Sequence, residues 1–249
     1  MKLNACVMTM LLAGAGLASA QSRVLYDPRL PTPEPRISET ERGRVKYLAD
    51  QAAQRGLWAN LDNVPGGTRD LLECGFRGFR IMGVAPGSFT AKGAQQTAYL
   101  YDYCNVSHAQ NLQGLVVLNN LEVAAHYTFT GDYSALYTVK DINRNGFTEL
   151  GLEGYYTNTG TGQGWLTIAE LQPARRNLMR LDVYSDDCLG LQTGWKSQVI
   201  RVIPGTTPRY TTQSIAGKCN NERVATSVGS IRPISVQATP TGWTPAPLK

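Results

Sequence analysis

Between residues 71 and 215 the chain is written in short runs of alternating apolar and polar residues. A period of two places alternate side chains on one face of an extended segment, so this region is confined to strands. The runs fall at 79–84, 98–103, 114–118, 123–129, 135–139, 148–155, 165–171, 179–184, 197–203 and 210–215. Turn residues separate them at Pro86-Gly87, Asn119-Asn120, Gly131-Asp132, the Gly160/Gly162/Gly164 cluster and Pro204-Gly205. Strands and turns at this spacing imply a mainly β fold, an antiparallel sandwich or a propeller-like domain.

One helix precedes the strands. Ser38-Glu39-Thr40-Glu41 has the spacing of a capping box, and Val45, Leu48, Ala49, Ala52 and Ala53 follow at helical intervals before Gly56. The helix lies within 38–56, and its thin, alanine-rich face suits packing on a sheet or, as the alternative, docking to a partner. Prolines 28, 31, 33 and 35 make 21–37 an extended lead-in outside any packed element, and prolines 233, 240, 245 and 247 make 233–249 an open tail. What remains, 57–232, is the β domain; 249 residues suit one large domain of this kind or two small ones.

Met1-Lys2, an apolar stretch at 7–17 and Ala18-Ser19-Ala20 follow the order of a bacterial secretory signal peptide, which sets 1–20 apart from the fold and implies a secreted, periplasmic or cell-envelope protein. Cys6 lies in that leader. The other cysteines, Cys74, Cys104, Cys188 and Cys219, are even in number and include no close C-x-x-C pair, which favours two disulfides over zinc. An internal echo suggests the pairing. Cys74 is followed by a strand, Pro86-Gly87 and a strand ending at Cys104; Cys188 is followed by a strand, Pro204-Gly205 and a strand ending at Cys219. The echo pairs Cys74 with Cys104 and Cys188 with Cys219. The net charge of +5 is spread without a dense Lys/Arg run, so it points to acidic envelope polymers as neighbours and away from nucleic acid.

The segment 141–150, Asp-Ile-Asn-Arg-Asn-Gly-Phe-Thr-Glu-Leu, sits between two alternating runs. Asp141, Asn143 and Asn145 offer side-chain oxygens at every second residue, Gly146 permits the sharp turn, and Glu149 can close a cage around a hard cation, which makes calcium the expected ligand. The metal-free alternative is a turn in which the same oxygens accept backbone N–H groups. An EF-hand is excluded, because its twelfth position would be Leu152 and both flanks have strand period.

The pattern D-x-N-x-N-G-x-x-E-L, carried by Asp141, Asn143, Asn145, Gly146, Glu149 and Leu150, resembles the calcium loop of FG-GAP and VCBS-type repeats. In that family such a loop joins two antiparallel strands and binds calcium, and the repeats build propellers of extracellular adhesion and carbohydrate-associated proteins. The resemblance spans about 25 residues and occurs once, so it describes a hairpin and does not set the architecture.

Catalytic constellations are sparse. His108 and His126 are the only histidines, and neither a G-x-S-x-G elbow nor an H-E-x-x-H motif is present. Glu122, Asp132, Glu153, Glu170, Asp182, Asp186 and Asp187 are the carboxylates available for acid–base work, with Asp186-Asp187-Cys188 reading as a polar turn at a disulfide. Tyr99, Tyr101 and Tyr103 share a strand face, and Tyr155, Tyr156 and Trp165 flank the glycine-rich turn; each set is either core or a sugar-stacking platform. The expectation is an exported surface or binding protein with a structural calcium loop and no catalytic residues. A secreted carboxylate-dependent hydrolase of polysaccharide or peptide is the alternative.

Overall fold

The computed structural model describes residues 21–58, 67–107, 110–191, 193–220 and 224–247. The expected leader and His108 lie outside them. The fold is mainly β, with two antiparallel sheets packed in a sandwich-like arrangement. Strands β2 (Arg80–Gly87), β3 (Gln96–Ser107), β4 (Gln110–Asn119) and β5 (Glu122–Gly131) form one meander. The chain then crosses at Asp132 into a second: β6 (Tyr133–Val139), β7 (Glu149–Asn158), β8 (Thr161–Glu170), β9 (Arg176–Asp186), β10 (Trp195–Ile203), β11 (Arg209–Gly217) and β12 (Ala225–Ile234). Each alternating run in the sequence overlaps one of the strands β2 to β11.

Three layers share the apolar residues. The helix α1 (Glu39–Gln54) is capped as its sequence implies: the Ser38 hydroxyl accepts from the Glu41 N–H, and the Glu41 carboxylate accepts from the Ser38 N–H at 2.9 Å. Its buried Val45, Leu48, Ala49, Ala52 and Ala53 pack on the β3–β4 face that carries Tyr99, Tyr101, Tyr103, Val116 and Leu118. The opposite face of that sheet, with Leu100, Leu115, Val117 and Phe129, meets Leu136, Leu150 and Leu152 of the second sheet. The far side of the second sheet has its own cluster around Ile168, Met179, Ile200 and Val202.

Several elements differ from the sequence reading. A second helix, α2 (Gly67–Gly78), stands beside α1, and Cys74 on it is bonded to Cys104 on β3. The lead-in is no tether: β1 (Arg23–Tyr26) pairs with β10 through Arg23↔Val202 and Val24↔Arg201. Nor is the tail open. Short strands β13 (Thr239–Pro240) and β14 (Thr244–Pro245) pair with β9 and β5, and Trp243 stacks on Phe129 at 5.1 Å in the core. The prolines are accommodated because both segments are two-residue edge pairings that need few ladder donors. The second disulfide, Cys188–Cys219, ties the turn after β9 to the end of β11.

Candidate functional site

Two regions are candidate sites: the turn at Asp141 and a groove under the lead-in.

The turn joins β6 and β7, which pair up to Val139↔Glu149. Buried Ile142 anchors it in the core, and its carbonyl accepts from the Gly205 N–H at 2.9 Å. Asp141 receives the N–H groups of Asn145 and Gly146, each at 2.9 Å, on its two carboxylate oxygens. Asn143 Oδ1 accepts from the Asn145 N–H at 3.1 Å, and Asn145 Oδ1 from the Phe147 N–H at 2.9 Å. Gly146 takes φ +87°, a left-handed conformation open to glycine. The oxygens expected to face a cation thus hold the turn closed by backbone hydrogen bonds.

The carboxylates around the turn are compensated unequally. Glu170, fully buried, accepts the side-chain amides of Asn143 at 2.7 Å and Asn145 at 2.9 Å, and pairs with Arg176 at 2.5 Å. Glu149 is fully buried as well, and accepts from the Ile142 N–H at 3.1 Å. Burial pushes its pKa up to about 7; the Ile142 N–H works against the shift and the nearby Asp141 charge adds to it. Among the described residues no group of three His, Cys, Asp or Glu side chains converges as a metal cluster. A hard cation would have Asp141 and Glu149 as its anionic ligands and the second lone pairs of the Asn143 and Asn145 oxygens as neutral ones. These are oxygens of the kind a hard cation takes, and Glu149 is the buried carboxylate among them.

The groove, about 770 Å³, lies between the lead-in and the face of β6–β9 that carries Tyr137, Glu153, Tyr155 and Tyr184. Its floor is set by register: Tyr155 pairs with Gly164, Gly164 with Tyr184 and Tyr184 with Ser197, a row across four strands. The Tyr155 and Tyr184 rings stand 6.1 Å apart, and the Tyr155 ring lies across β8, where a Cβ at Gly164 would come within 3.7 Å of its Cδ2 and one at Gly162 would collide with its hydroxyl. The lead-in forms the wall. Tyr137 donates to the Leu25 carbonyl at 2.9 Å, and Arg23 to the Lys140 carbonyl at 3.2 Å. Burial pushes Tyr26 up to about 12, opposed by the Ser197 hydroxyl and reinforced by the Glu153 and Asp27 charges. Burial also raises the Glu153 pKa, with the neighbouring Tyr137 hydroxyl opposing. Asp27 is lowered, chiefly by its hydrogen bonds to Arg29 at 2.8 and 2.6 Å.

The other sequence candidates go elsewhere. Asp186 accepts from Tyr155 at 3.1 Å and from the Cys188 N–H at 3.0 Å, and Asp187 caps Thr193 and Gly194, so this pair is a polar turn beside the disulfide. Tyr99, Tyr101 and Tyr103 are buried under α1, their hydroxyls bonded to Glu41, His126 and Asp50, which makes them a core ladder. His126 is buried with its Nε2 2.7 Å from Tyr101. Trp165 covers Gly154 and packs toward the inter-sheet core, so Tyr155 stands apart from it on the opposite sheet face. Tyr26 and Asp27 were not candidates in the sequence; the short apolar run Val24-Leu25-Tyr26 just before Pro28 is the signal that marks them.

Comparison of the chain with protein-family models, with curated proteins and with solved structures returned no match.

Proposed function

We propose that this chain is an exported bacterial protein of the envelope or extracellular space that works by binding an envelope component or extracellular polymer, with the lead-in groove as its ligand site. The groove carries the reading: Tyr26, Tyr137, Tyr155, Tyr184 and the Glu153 carboxylate line one concave surface of ligand size. Two disulfides support an oxidising compartment. Among the described residues no helix is long and apolar enough to cross a membrane. Within this reading Asp141, Asn143, Asn145 and Glu149 form a structural calcium site that stiffens the β6–β7 hairpin. The test is a binding screen of the oxidised protein against glycans and envelope polymers. A ligand whose capture is lost in Tyr155→Ala and Tyr184→Ala, with folding intact, supports the reading; capture indifferent to both substitutions removes the groove from it.

The hydrolase alternative is favoured by one feature of the same groove. The Glu153 pKa is raised and the Asp27 pKa lowered, and both carboxyls act on Tyr26, a divergence of the kind an acid and a base require. Asp27 is engaged by Arg29 through both oxygens, which is why binding is preferred. Turnover of a captured polymer that stops in Glu153→Gln would reverse that preference.

A further inference from the structure

We propose that β12 is a dimerisation edge, at which two copies of the chain pair antiparallel through residues 227–232 about a two-fold axis.

The open side of the second sheet is the first argument. The other terminal strands have neighbours. β5 is covered by β14 through Thr128↔Thr244 and Tyr127↔Pro245. β2 and β6 lie against each other: the Thr138 hydroxyl donates to the Pro86 carbonyl at 2.6 Å, and a Cβ on Gly83 would come within 2.4 Å of the Leu136 nitrogen. β12 pairs with β11 on one side and, among the described residues, with nothing on the other. Its residues 226–233 are all exposed. The outer side of such a strand is a row of backbone donors and acceptors, and the group that satisfies them in register is another extended strand.

The sequence of β12 names the occupant. Its apolar residues are Ala225, Val228, Ile231 and Ile234, a spacing that reads the same from either end. An antiparallel copy in two-fold register therefore sets Val228 against Ile231 at two places, with Gly229 against Ser230 between them and Ser227 against Arg232 outside. Residues directly opposed must point to one face of the sheet. The pairing with β11 meets that condition, because Val228 lies opposite Ile215 and Ile231 opposite Gln213, with a bulge absorbing the odd residue between them. Both side chains are 57% exposed. Val228 adjoins Ile215, which is buried with Trp195 and Val199, so a second strand would continue an apolar cluster that the fold already contains. Charge agrees with self-pairing: Arg232 is the charged side chain of β12, and in this register it meets Ser227 and stands at the far end of the ladder from its copy. Pro233 has no N–H, which ends the ladder at Arg232. A foreign strand would have to carry the same three-residue spacing, whereas a second copy has it by identity.

The test is sedimentation velocity of the oxidised full chain over a concentration series. A reversible dimer is expected, and added salt should tighten it, since screening relieves the repulsion between two chains of net charge +5. Val228→Lys and Ile231→Glu, both at exposed positions, should each leave Tm unchanged and weaken the dimer about tenfold, because the two-fold places each change in the interface twice. Combined in one chain they oppose Lys to Glu at both crossings, and at low salt the dimer should recover by about the same factor. Hydrogen exchange of the wild type should show amides within 227–232 gaining protection as the concentration rises. A chain that stays monomeric throughout, a dimer indifferent to both single substitutions, or a loss in both that the double variant does not recover overturns the inference. A monomer whose amides at 227–232 gain protection from a synthetic Val-Thr repeat peptide assigns the edge to a foreign strand and overturns self-pairing as well.

Discussion

The Gln113 side chain pairs with the Tyr133 backbone as a neighbouring strand would, donating to its carbonyl at 2.7 Å and accepting its N–H at 2.9 Å. It also donates to the buried Asp102 carboxylate at 2.5 Å, so one fully buried amide joins the first sheet to the strand that opens the second. Gln113→Leu leaves the Tyr133 groups and Asp102 without these partners inside the protein. The expected loss is about 2–4 kcal/mol, since each stranded buried polar group costs roughly 1–3 kcal/mol. Urea denaturation measures it, and a loss under 1 kcal/mol would mean that water replaces the amide.

His126 is neutral in the fold. Burial lowers its pKa from 6.5 to about 4, and among the described residues its Nδ1 has no partner. Because the folded value lies below the unfolded one, the unfolded chain takes up the proton first. The histidine's contribution is therefore intact above pH 6.5 and is lost progressively toward pH 4, by up to ~3 kcal/mol. Stability curves of the wild type and His126→Gln should diverge over that window, the wild type falling more steeply; parallel curves would show that the imidazole is already accessible to solvent.

Asp141 separates the calcium reading from the metal-free turn. Asp141→Ala removes the acceptor for the Asn145 and Gly146 N–H groups and should cost about 1–3 kcal/mol whether or not an ion is bound. Calcium is the discriminating variable. At ten times its Kd, an ion that binds the folded state alone adds about 1.4 kcal/mol, so wild-type Tm should rise with calcium and the Asp141→Ala variant should not respond. A wild type indifferent to millimolar calcium establishes the metal-free turn.

The closing segment is predicted to be structural. Trp243 is buried between Tyr127 and Phe129, with its ring stacked on the latter, and the Ala246 N–H donates to the His126 carbonyl at 2.8 Å. Trp243→Ala should destabilise by about 3–5 kcal/mol, the usual range for truncating a buried large aromatic. Thermal melts decide it, and a shift of only a degree or two would return the tail to the status of an appendage.

Local signals were legible in the sequence where the determinants are local. The period of two marked each strand from β2 to β11, and the Ser38–Glu41 spacing marked the start of α1. The cysteine echo gave the pairing that the structure adopts, because each disulfide closes a similar stretch, with separations of 30 and 31 residues. Helix α2 was hidden by its composition. Gly75 sits inside it where a Cβ would come within 2.2 Å of the Tyr103 ring, and Phe76 is 82% exposed, so packing against β3 dictates residues that weaken the helical pattern. Strand β12 was missed because it is an edge strand exposed along nearly all its length and needs no apolar alternation. The groove was illegible for a further reason: its wall and floor come from segments far apart in the chain, and only register and the β1–β10 pairing bring Tyr26 beside Glu153.

That pairing has a consequence for the order of assembly. β10 lends one end, Trp195–Ser197, to β9 and the other, from Ile200 to Val202, to β1, so the earliest strand in the chain has no place in the sheet until one of the latest has formed. Contacts so distant in sequence close slowly. The groove wall is therefore among the last surfaces completed, and a molecule able to hold a ligand there is one whose folding has finished.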